Sequence, residues 1–275
     1  MINSEGVKII IGPISSANAL AMIPVTEAAG VLLLSPSASS PEITGKGKLF
    51  FRTSVLSKPQ GRKAARYIFK TLKSNRVSIF YLNDETGRGY TEFFEEEFVK
   101  LGGTIAVKDS YEKTAEDFSA QIPKFKDAGA EVIYVPAVPR TLGLIIKQAH
   151  ELGYDPIFIT NYGSEGQDVI TLAGDLANDR VFLTSVRISP DFIKNYRTRY
   201  RKEPEIFAPI AYDALSILAK VIADKNSTDP AVLETALRSL QGYTGASGKI
   251  AFDKNGDPVR GISFRKVANG AFQEL

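Results

Sequence analysis

The sequence predicts an α/β protein in which parallel sheets carry helices on both faces, divided between two lobes. Short apolar runs rich in β-branched residues alternate with longer amphipathic segments, at the spacing of strand–helix–strand units. Residues 9–11 and 32–34 are apolar at every position, as expected of central parallel strands that are buried on both faces. The length of 275 residues exceeds what one small core requires and suits two such lobes.

Strands and helices are predicted to alternate as far as residue 186. The strands are expected at residues 7–11, 31–34, 76–82, 104–109, 131–136, 156–160 and 180–186. The helices are expected at residues 17–29, 58–73, 90–101, 117–128, 141–152 and 166–172. Because helices separate these strands along the chain, the strands are expected to run parallel within their sheets.

The pattern changes near Ser185, after which helices are expected at 190–202, 207–225 and 229–240. Beyond these helices the chain becomes β-like. Residues 249–252 and 262–267 flank the segment 253–257, in which Asn255-Gly256 is a strong signal for a tight hairpin turn. A second Asn-Gly pair at 269–270 predicts another turn.

The composition excludes several classes of function. Lys and Arg number 34 against 31 Asp and Glu, so the net charge is +3, an excess too small and too dispersed to indicate a nucleic-acid binder. The absence of cysteine excludes disulfides, thiolate metal sites and cysteine nucleophiles. No apolar run is long enough for a membrane span. The N-terminus lacks the basic start and apolar stretch of a signal peptide, so the chain is expected to be cytosolic or to have lost its targeting segment.

Motifs for metal and nucleotide chemistry are incomplete. The acidic segment 253–257 lacks the glutamate of a calcium loop, because the twelfth position is Phe264, and a hairpin is the better interpretation. Gly248-Lys249 lacks the earlier glycine of a phosphate loop, since position 243 is Tyr243. Gly87-Arg88-Gly89 lacks the third glycine of a dinucleotide loop and is better explained as the start of a helix. No metal or cofactor is therefore expected.

Catalytic side chains are also scarce. The single histidine, His150, lies at the polar end of an amphipathic helix, where a surface position is expected. With one histidine and no cysteine, no nucleophile–base constellation can be assembled from the sequence, so an enzyme is not expected.

Small hydroxyl residues follow the first two predicted strands. Ser15 and Ser16 open a helix after the first strand, and residues 35–41 (Ser-Pro-Ser-Ala-Ser-Ser-Pro) follow the second. In a parallel sheet these positions lie at the carboxyl edge, where ligands bind. Serine hydroxyls, free N–H groups and a helix N-terminus suit a carboxylate, although serines also cap helices and fill turns. Both interpretations stay open on the residues alone.

These residues resemble those of the branched-chain amino-acid (leucine/isoleucine/valine) binding proteins of bacterial ABC transporters, which have the type I periplasmic binding fold. The resemblance runs the length of the chain and rests on the order and spacing of several motifs. They are Ile10-Ile11-Gly12-Pro13 with Ser15-Ser16, the segment 35–44, Phe51-Arg52-Thr53, Gln60-Gly61, and the segments 84–89, 117–119 and 253–257.

The resemblance implies two doubly wound lobes with a ligand cleft, joined by three crossings near residues 54–59, 185–190 and 252–257. Lobe one is expected at 1–56 and 187–252, and lobe two at 57–186 and 253–275. Lobe one would bind the ligand through Ser16, whose hydroxyl would hold a carboxylate, and through Ser37, Ala38 and Ser39. Lobe two would clamp it from Thr86, Val138, Tyr162 and Gly163.

The same resemblance implies an extracytoplasmic solute-binding protein that delivers an amino acid or another small carboxylate to a membrane permease. A ligand-sensing or regulatory domain with the same fold is the alternative. Tyr162 stands where relatives often carry an acid that pairs with the ligand ammonium, so an aromatic or aliphatic carboxylate competes with an amino acid. Family members begin with a further strand–helix–strand, so lobe one is expected to expose a sheet edge unless a second chain, as in a dimer, covers it.

Overall fold

The structure is a computed structural model that describes residues 2–275, and it divides into two compact units. The first unit contains the described chain up to Leu56 together with Val186–Gly261, and the second contains Ser57–Ser185 together with Ile262–Leu275. The chain therefore passes between the units three times. The last lobe boundary predicted from the sequence, at 252–253, falls before the observed boundary at Gly261.

The described residues form helices and strands in the following order. The helices are α1 (Ile2–Glu5), α2 (Ser16–Ala28), α3 (Ser57–Lys70), α4 (Glu85–Lys100), α5 (Ile122–Asp127), α6 (Pro139–Glu151), α7 (Gln167–Ala173), α8 (Pro190–Tyr200), α9 (Phe207–Lys225) and α10 (Pro230–Arg238). The strands are β1 (Ile9–Ile11), β2 (Leu32–Ser35), β3 (Phe50–Arg52), β4 (Arg76–Leu82), β5 (Thr104–Tyr111), β6 (Val132–Tyr134), β7 (Ile157–Thr160), β8 (Val181–Ser185), β9 (Tyr243–Gly245), β10 (Gly248–Phe252), β11 (Pro258–Arg260), β12 (Ser263–Ala268) and β13 (Ala271–Glu274). Short 3-10 helices lie at Pro41–Ile43, Tyr162–Ser164 and Gly174–Ala177.

The first unit is built on the parallel sheet β1-β2-β3, with β2 in the centre. Leu32 and Leu34 pack into one core with α9 and α10, whereas Leu33 packs into another with α2. Successive strand residues point to opposite faces, so these three leucines place helices on both sides of the sheet. A separate antiparallel sheet, β11-β10-β9, completes the unit.

The second unit contains a seven-stranded sheet in the order β13-β12-β8-β7-β6-β4-β5. The strands from β8 to β5 are parallel, and β12 joins β8 antiparallel. Val132 and Tyr134 of β6 pack with α3 and α4, whereas Ile133 packs into a second core with α6. Helices again cover both faces, as the alternation of strands and helices in the sequence predicts.

Two expectations from the sequence were wrong in part. The strands expected at 249–252 and 262–267 are present, but they do not pair with each other: residues 250–252 pair with Pro258–Arg260, residues 263–268 belong to the other unit, and the tight turn at Asn255-Gly256 joins β10 to β11. The helix expected at 117–128 is shorter, since α5 begins only at Ile122; before it, Phe118 N–H donates to Gln148 Oε1 at 2.7 Å.

Two other predictions are confirmed. Asn269 and Gly270 have positive φ angles, 52° and 68° respectively, and they form the turn between β12 and β13. The segment Gly87-Arg88-Gly89 lies in the first turns of α4, with Asp84 as its N-cap.

No helix among residues 2–275 is long and apolar enough to cross a membrane. Across the same residues, no group of three or more His, Asp or Glu side chains is arranged to hold a metal ion.

Candidate ligand-binding site

The serine residues predicted to bind a ligand lie together at the carboxyl edge of the sheet in the first unit. Ser15 caps α2 by accepting a hydrogen bond from Asn18 N–H at 3.3 Å, and Ser16 is the first helical residue. The segment 35–40, called here the serine loop, leaves the carboxyl end of the neighbouring strand β2. The sequence therefore brings two hydroxyl-bearing turns to one edge of the sheet, as predicted.

Ser16 holds the serine loop. Its hydroxyl oxygen accepts hydrogen bonds from the N–H groups of Ser39 and Ser40, both at 3.2 Å, and the residue is 5% exposed. The side chain expected to bind a carboxylate thus has a structural partner on the loop as well. Any ligand contact by Ser16 uses a hydroxyl group whose position is already fixed.

Other hydroxyl groups fix the middle of the serine loop. Ser35 Oγ accepts from Ala38 N–H at 3.0 Å and donates to Pro13 O at 2.7 Å. Ser54 Oγ donates to Ala38 O at 2.6 Å. Ser37 is half-buried, whereas Ala38 and Ser39 are buried. The loop is rigidly held at its centre, and Ser37 is its more accessible member.

A fully buried arginine lies behind the serine loop. Arg52 Nε bonds Asp257 Oδ1 at 2.6 Å, and Nη1 donates to Ser40 O at 2.7 Å and to Ala38 O at 3.3 Å. Thr44 Oγ1 accepts from Nη2 at 2.9 Å and donates to Asp257 Oδ2 at 2.6 Å. One guanidinium group therefore ties two loop carbonyls to the β10–β11 turn. The sequence offered Arg52 as part of a motif, but only the fold shows this role.

The second unit collects its four predicted residues at the carboxyl ends of β4, β6 and β7, which are adjacent in the sheet. Thr86 lies in the first turn of α4 and is half-buried, and Val138, 52% exposed, directly precedes α6. Tyr162 and Gly163 lie in the 3-10 helix after β7, with Tyr162 only 2% exposed. All four residues follow the carboxyl ends of parallel strands, where ligands bind in sheets of this kind.

Side chains of the ligand loop, defined here as residues 160–165, lock it to the end of β6. Asn161 Oδ1 accepts from Ala137 N–H at 3.0 Å, and Ser164 Oγ donates to Ala137 O at 2.7 Å. Thr160 Oγ1 donates to Val135 O at 2.5 Å. The positions of Val138 and Tyr162 are therefore fixed by one buried network. Asn161 was missed in the sequence, although a polar residue just after a strand was the signal used for the serines.

Two buried or half-buried acids of the second unit, Glu165 in the ligand loop and Asp84 before α4, already have partners. Glu165, which is buried, pairs with Arg265 and accepts from Ser185 Oγ at 3.4 Å. Burial raises the pKa of the Glu165 carboxyl, and the Arg265 guanidinium lowers it by less. Asp84 accepts from Gly87 N–H at 2.7 Å as the cap of α4. Burial raises the pKa of Asp84 as well, against the effect of that hydrogen bond.

The chain is similar to known proteins over its whole length. A sequence model of the family described as "Periplasmic binding protein" matches residues 1–271. The leucine-, isoleucine-, valine-, threonine- and alanine-binding protein of Pseudomonas aeruginosa is 30% identical over 261 residues, covering 92% of this chain and 69% of the relative. The crystal structure of the leucine-binding protein LivK from Thermotoga maritima has a TM-score of 0.93 at 27% identity, covering 100% of this chain and 80% of that one.

A solute-binding protein of an ABC transporter from Rhodopseudomonas palustris, solved in complex with 3,4-dihydroxybenzoic acid, has a TM-score of 0.90. It is 22% identical, so this likeness shows the fold alone; the match covers 100% of this chain and 78% of that one.

The fold and these similarities together place the protein in a class: the α/β solute-binding proteins with the type I periplasmic binding fold, which are not enzymes. The chain belongs to the periplasmic binding protein family, within its branched-chain amino-acid binding group. The Pseudomonas aeruginosa relative is named for the amino acids it binds, and the family implies a location outside the cytoplasm. The predicted family and fold class are thereby confirmed.

Proposed function

We propose that this protein is the extracytoplasmic solute-binding component of an ABC importer, which captures a small carboxylate or amino acid and delivers it to a membrane permease. The observation that carries the proposal is the serine loop, whose main chain is held in place beside the start of α2 by Ser16, Ser35 and Arg52. Hydroxyl groups held in fixed positions beside a helix start favour an anionic group.

The proposed contacts come from both units. In the first unit they are Ser16, Ser37, Ala38 and Ser39, which would bind the carboxylate. In the second they are Thr86, Val138, Tyr162 and Gly163, at the ends of three adjacent strands. Ligand would favour the closed arrangement to the extent that it contacts both units, because only differential affinity shifts such an equilibrium.

Calorimetric titration tests the function directly. Ligand-stripped protein is titrated with branched-chain amino acids, their deaminated 2-oxo acids, and benzoates that carry ring hydroxyls. Binding of at least one of these compounds is the expected result. A folded protein that binds none of them contradicts the proposal.

Within this function, we propose that deaminated carboxylates bind better than amino acids. A ligand ammonium needs an anion once it loses its water, but Glu165 of the ligand loop is paired with Arg265, and Asp84 caps the start of α4. Tyr162 offers a neutral phenol instead. The relatives include both a protein named for amino acids and one solved with an aromatic acid.

Tyr162→Glu tests this ligand preference. The new carboxylate is expected to move the preference toward amino acids, measured as the ratio of Kd values for leucine and its 2-oxo acid. Tyr162→Phe, which removes the hydroxyl group without adding charge, is the matched control and should leave the sign of the preference unchanged. A wild-type protein that prefers leucine refutes the proposed ligand class.

We further propose that a second chain covers the open edge of the first unit. Lys8 O accepts a hydrogen bond from β2 at 3.0 Å, and Gly12 N–H donates one to β2 at 2.9 Å. Because the main-chain groups of a strand point alternately to either side, those of Ile9 and Ile11 point away from β2. Within residues 2–275 no strand pairs with that side of β1. Sedimentation velocity should detect a dimer that Ile11→Lys weakens, because charge blocks edge pairing; a monomer at all concentrations contradicts this.

A further inference from the structure

Gln60 is a buried side chain with no place in the proposed ligand contacts. It lies in the first turn of α3, four residues after the chain enters the second unit, and it is 0% exposed. A carboxamide in such a position must have hydrogen-bond partners, since burying an unpaired polar group is costly.

The partners of Gln60 connect three separate elements. Its Oε1 atom accepts from Tyr162 N–H at 3.2 Å and from Thr184 Oγ1 at 2.6 Å, and its Nε2 group donates to Tyr90 OH at 2.9 Å. Tyr162 belongs to the ligand loop, whereas Thr184 lies in β8, two residues before the chain leaves the unit. One carboxamide therefore holds the ligand loop against a strand that leads out of the unit.

The same stretch of α3 also contacts the third passage of the chain. Lys63, one turn after Gln60, donates to the carbonyl of Ile262, the first residue of the returning chain. The helix α3 thus begins where the chain first enters this unit, and its first two turns contact the chain near the two other places where it leaves or re-enters. The ligand loop is attached to this arrangement through Gln60.

We propose that Gln60 is a positioning residue that sets ligand affinity by holding the main chain of Tyr162, without touching the ligand itself. This inference rests on the proposed function of the site. Asn161, which precedes the 3-10 helix, and Ser164, its last residue, are both bonded to Ala137. Gln60 binds the main chain of Tyr162, the first residue of that helix. Without that bond, the Asn161–Tyr162 peptide gains freedom that ligand binding must then remove, which weakens binding.

The test compares three variants by calorimetry and stopped-flow kinetics, using the tightest compound of the panel above. Gln60→Met keeps the side-chain volume but loses every hydrogen bond, and we expect Kd to rise roughly 5- to 50-fold, mostly through a faster dissociation rate. Gln60→Glu keeps an acceptor for Tyr162 and Thr184, and the Tyr90 hydroxyl can turn to donate. We expect this variant to recover most of the affinity.

The affinity order also distinguishes positioning from mere stability. A buried carboxylate should make Gln60→Glu at least as unstable to urea as Gln60→Met, so stability and affinity are expected to rank the two variants oppositely. Tyr90→Phe removes one partner of Gln60 but leaves the bond to Tyr162, and it should change Kd less than threefold.

Two outcomes overturn the inference. One is wild-type affinity in Gln60→Met, and the other is an affinity that follows stability across all variants. If Gln60→Met does not fold, Gln60→Asn, whose shorter side chain cannot reach Tyr162 N–H, replaces it with the same expected loss. A wild-type protein that binds no compound of the panel contradicts the proposed function instead, so the two failures are distinguishable.

Discussion

At the scale of single residues, the candidate site is built on buried polar side chains whose first task is to hold loops. Ser16 and Arg52 both bond main-chain atoms of the serine loop. From the sequence, the serines could be placed at a sheet edge because strand ends are recognisable by their apolar runs. The hydrogen bond from Ser39 N–H to Ser16 Oγ joins residues 23 positions apart in the chain, and no local sequence pattern predicts such a contact.

Replacing Ser16 with alanine should weaken carboxylate binding by about 1–3 kcal/mol, the cost of losing a hydrogen bond to a charged group. It should also lower the free energy of unfolding, because two buried N–H groups lose their acceptor. Calorimetry and urea unfolding measure the two effects. Ser15→Ala is the control, since it removes only the cap of α2 and should cost about 1 kcal/mol of stability with little change in Kd. Equal Kd values for Ser16→Ala and wild type would restrict Ser16 to a structural role.

Arg52→Met should lower the free energy of unfolding by about 3–5 kcal/mol, because it leaves the buried Asp257 carboxylate without its cation. Arg62→Met is the matched control: its partner Glu96 is exposed, and the expected cost is below about 1 kcal/mol. Combining Arg52→Met with Asp257→Asn should recover part of the loss. Urea unfolding of the four proteins decides the matter, and similar losses for both single arginine variants would show that the buried pair contributes little.

At the scale of elements, periodicity and turn residues predicted most helices and strands, and they failed where a distant contact decided the outcome. The strand β3 was not predicted: it is three residues long and pairs with β2, and its sequence Phe-Phe-Arg shows no alternation of apolar and polar residues. Residues 262–267 are β-like in sequence, but whether they pair with β10 or with β8 is a matter of tertiary structure. The position of residues 160–165 at the sheet edge could be predicted because they follow an apolar strand, whereas their contacts with Gln60 of α3 and Arg265 of β12 could not.

The contact between the ligand loop and β12 predicts a dependence of stability on pH. Burial raises the folded-state pKa of Glu165 above its unfolded value, so the folded protein binds the extra proton more tightly. The resulting stability is present below the unfolded pKa of about 4.3 and is lost as pH rises through the folded pKa. The unfolding free energy of wild type minus that of Glu165→Gln should therefore fall as the pH rises above about 4.

Urea unfolding at several pH values measures this difference. Glu92→Gln, at an exposed position of α4, is the control. A difference between wild type and Glu165→Gln that rises with pH would show that the ion pair with Arg265 outweighs burial.

At the scale of the whole molecule, the net charge proves less dispersed than the composition suggested. Residues 187–202 contain six Lys and Arg against one Asp, so the rest of the chain is slightly acidic. Three of the six basic residues, Lys194, Arg197 and Arg199, lie on α8, a helix without a single buried residue. The sequence total alone hides this concentration, because a sum of charges carries no positional information.

A solute that both units bind should stabilise the folded protein by mass action. At a free concentration 100 times its Kd, it should add about 2.7 kcal/mol to the free energy of unfolding. Differential scanning calorimetry with and without the tightest compound of the panel checks this, and a non-binding analogue of equal charge is the control. A ligand that leaves all unfolding transitions at the same temperature would argue that calorimetric heats came from weak surface association.

The main-chain groups of Ile9 and Ile11 at the edge of β1 also bear on how the protein behaves at high concentration. A backbone edge selects a new strand mainly through N–H and C=O groups that every sequence possesses, and therefore with little regard for side-chain identity. An extended peptide unrelated to this chain is as acceptable in principle as a second copy. Self-association at this edge would thus be governed by protein concentration and by the supply of unfolded chains rather than by the solute, whose proposed contacts are the hydroxyl groups beyond the carboxyl end of the same strand.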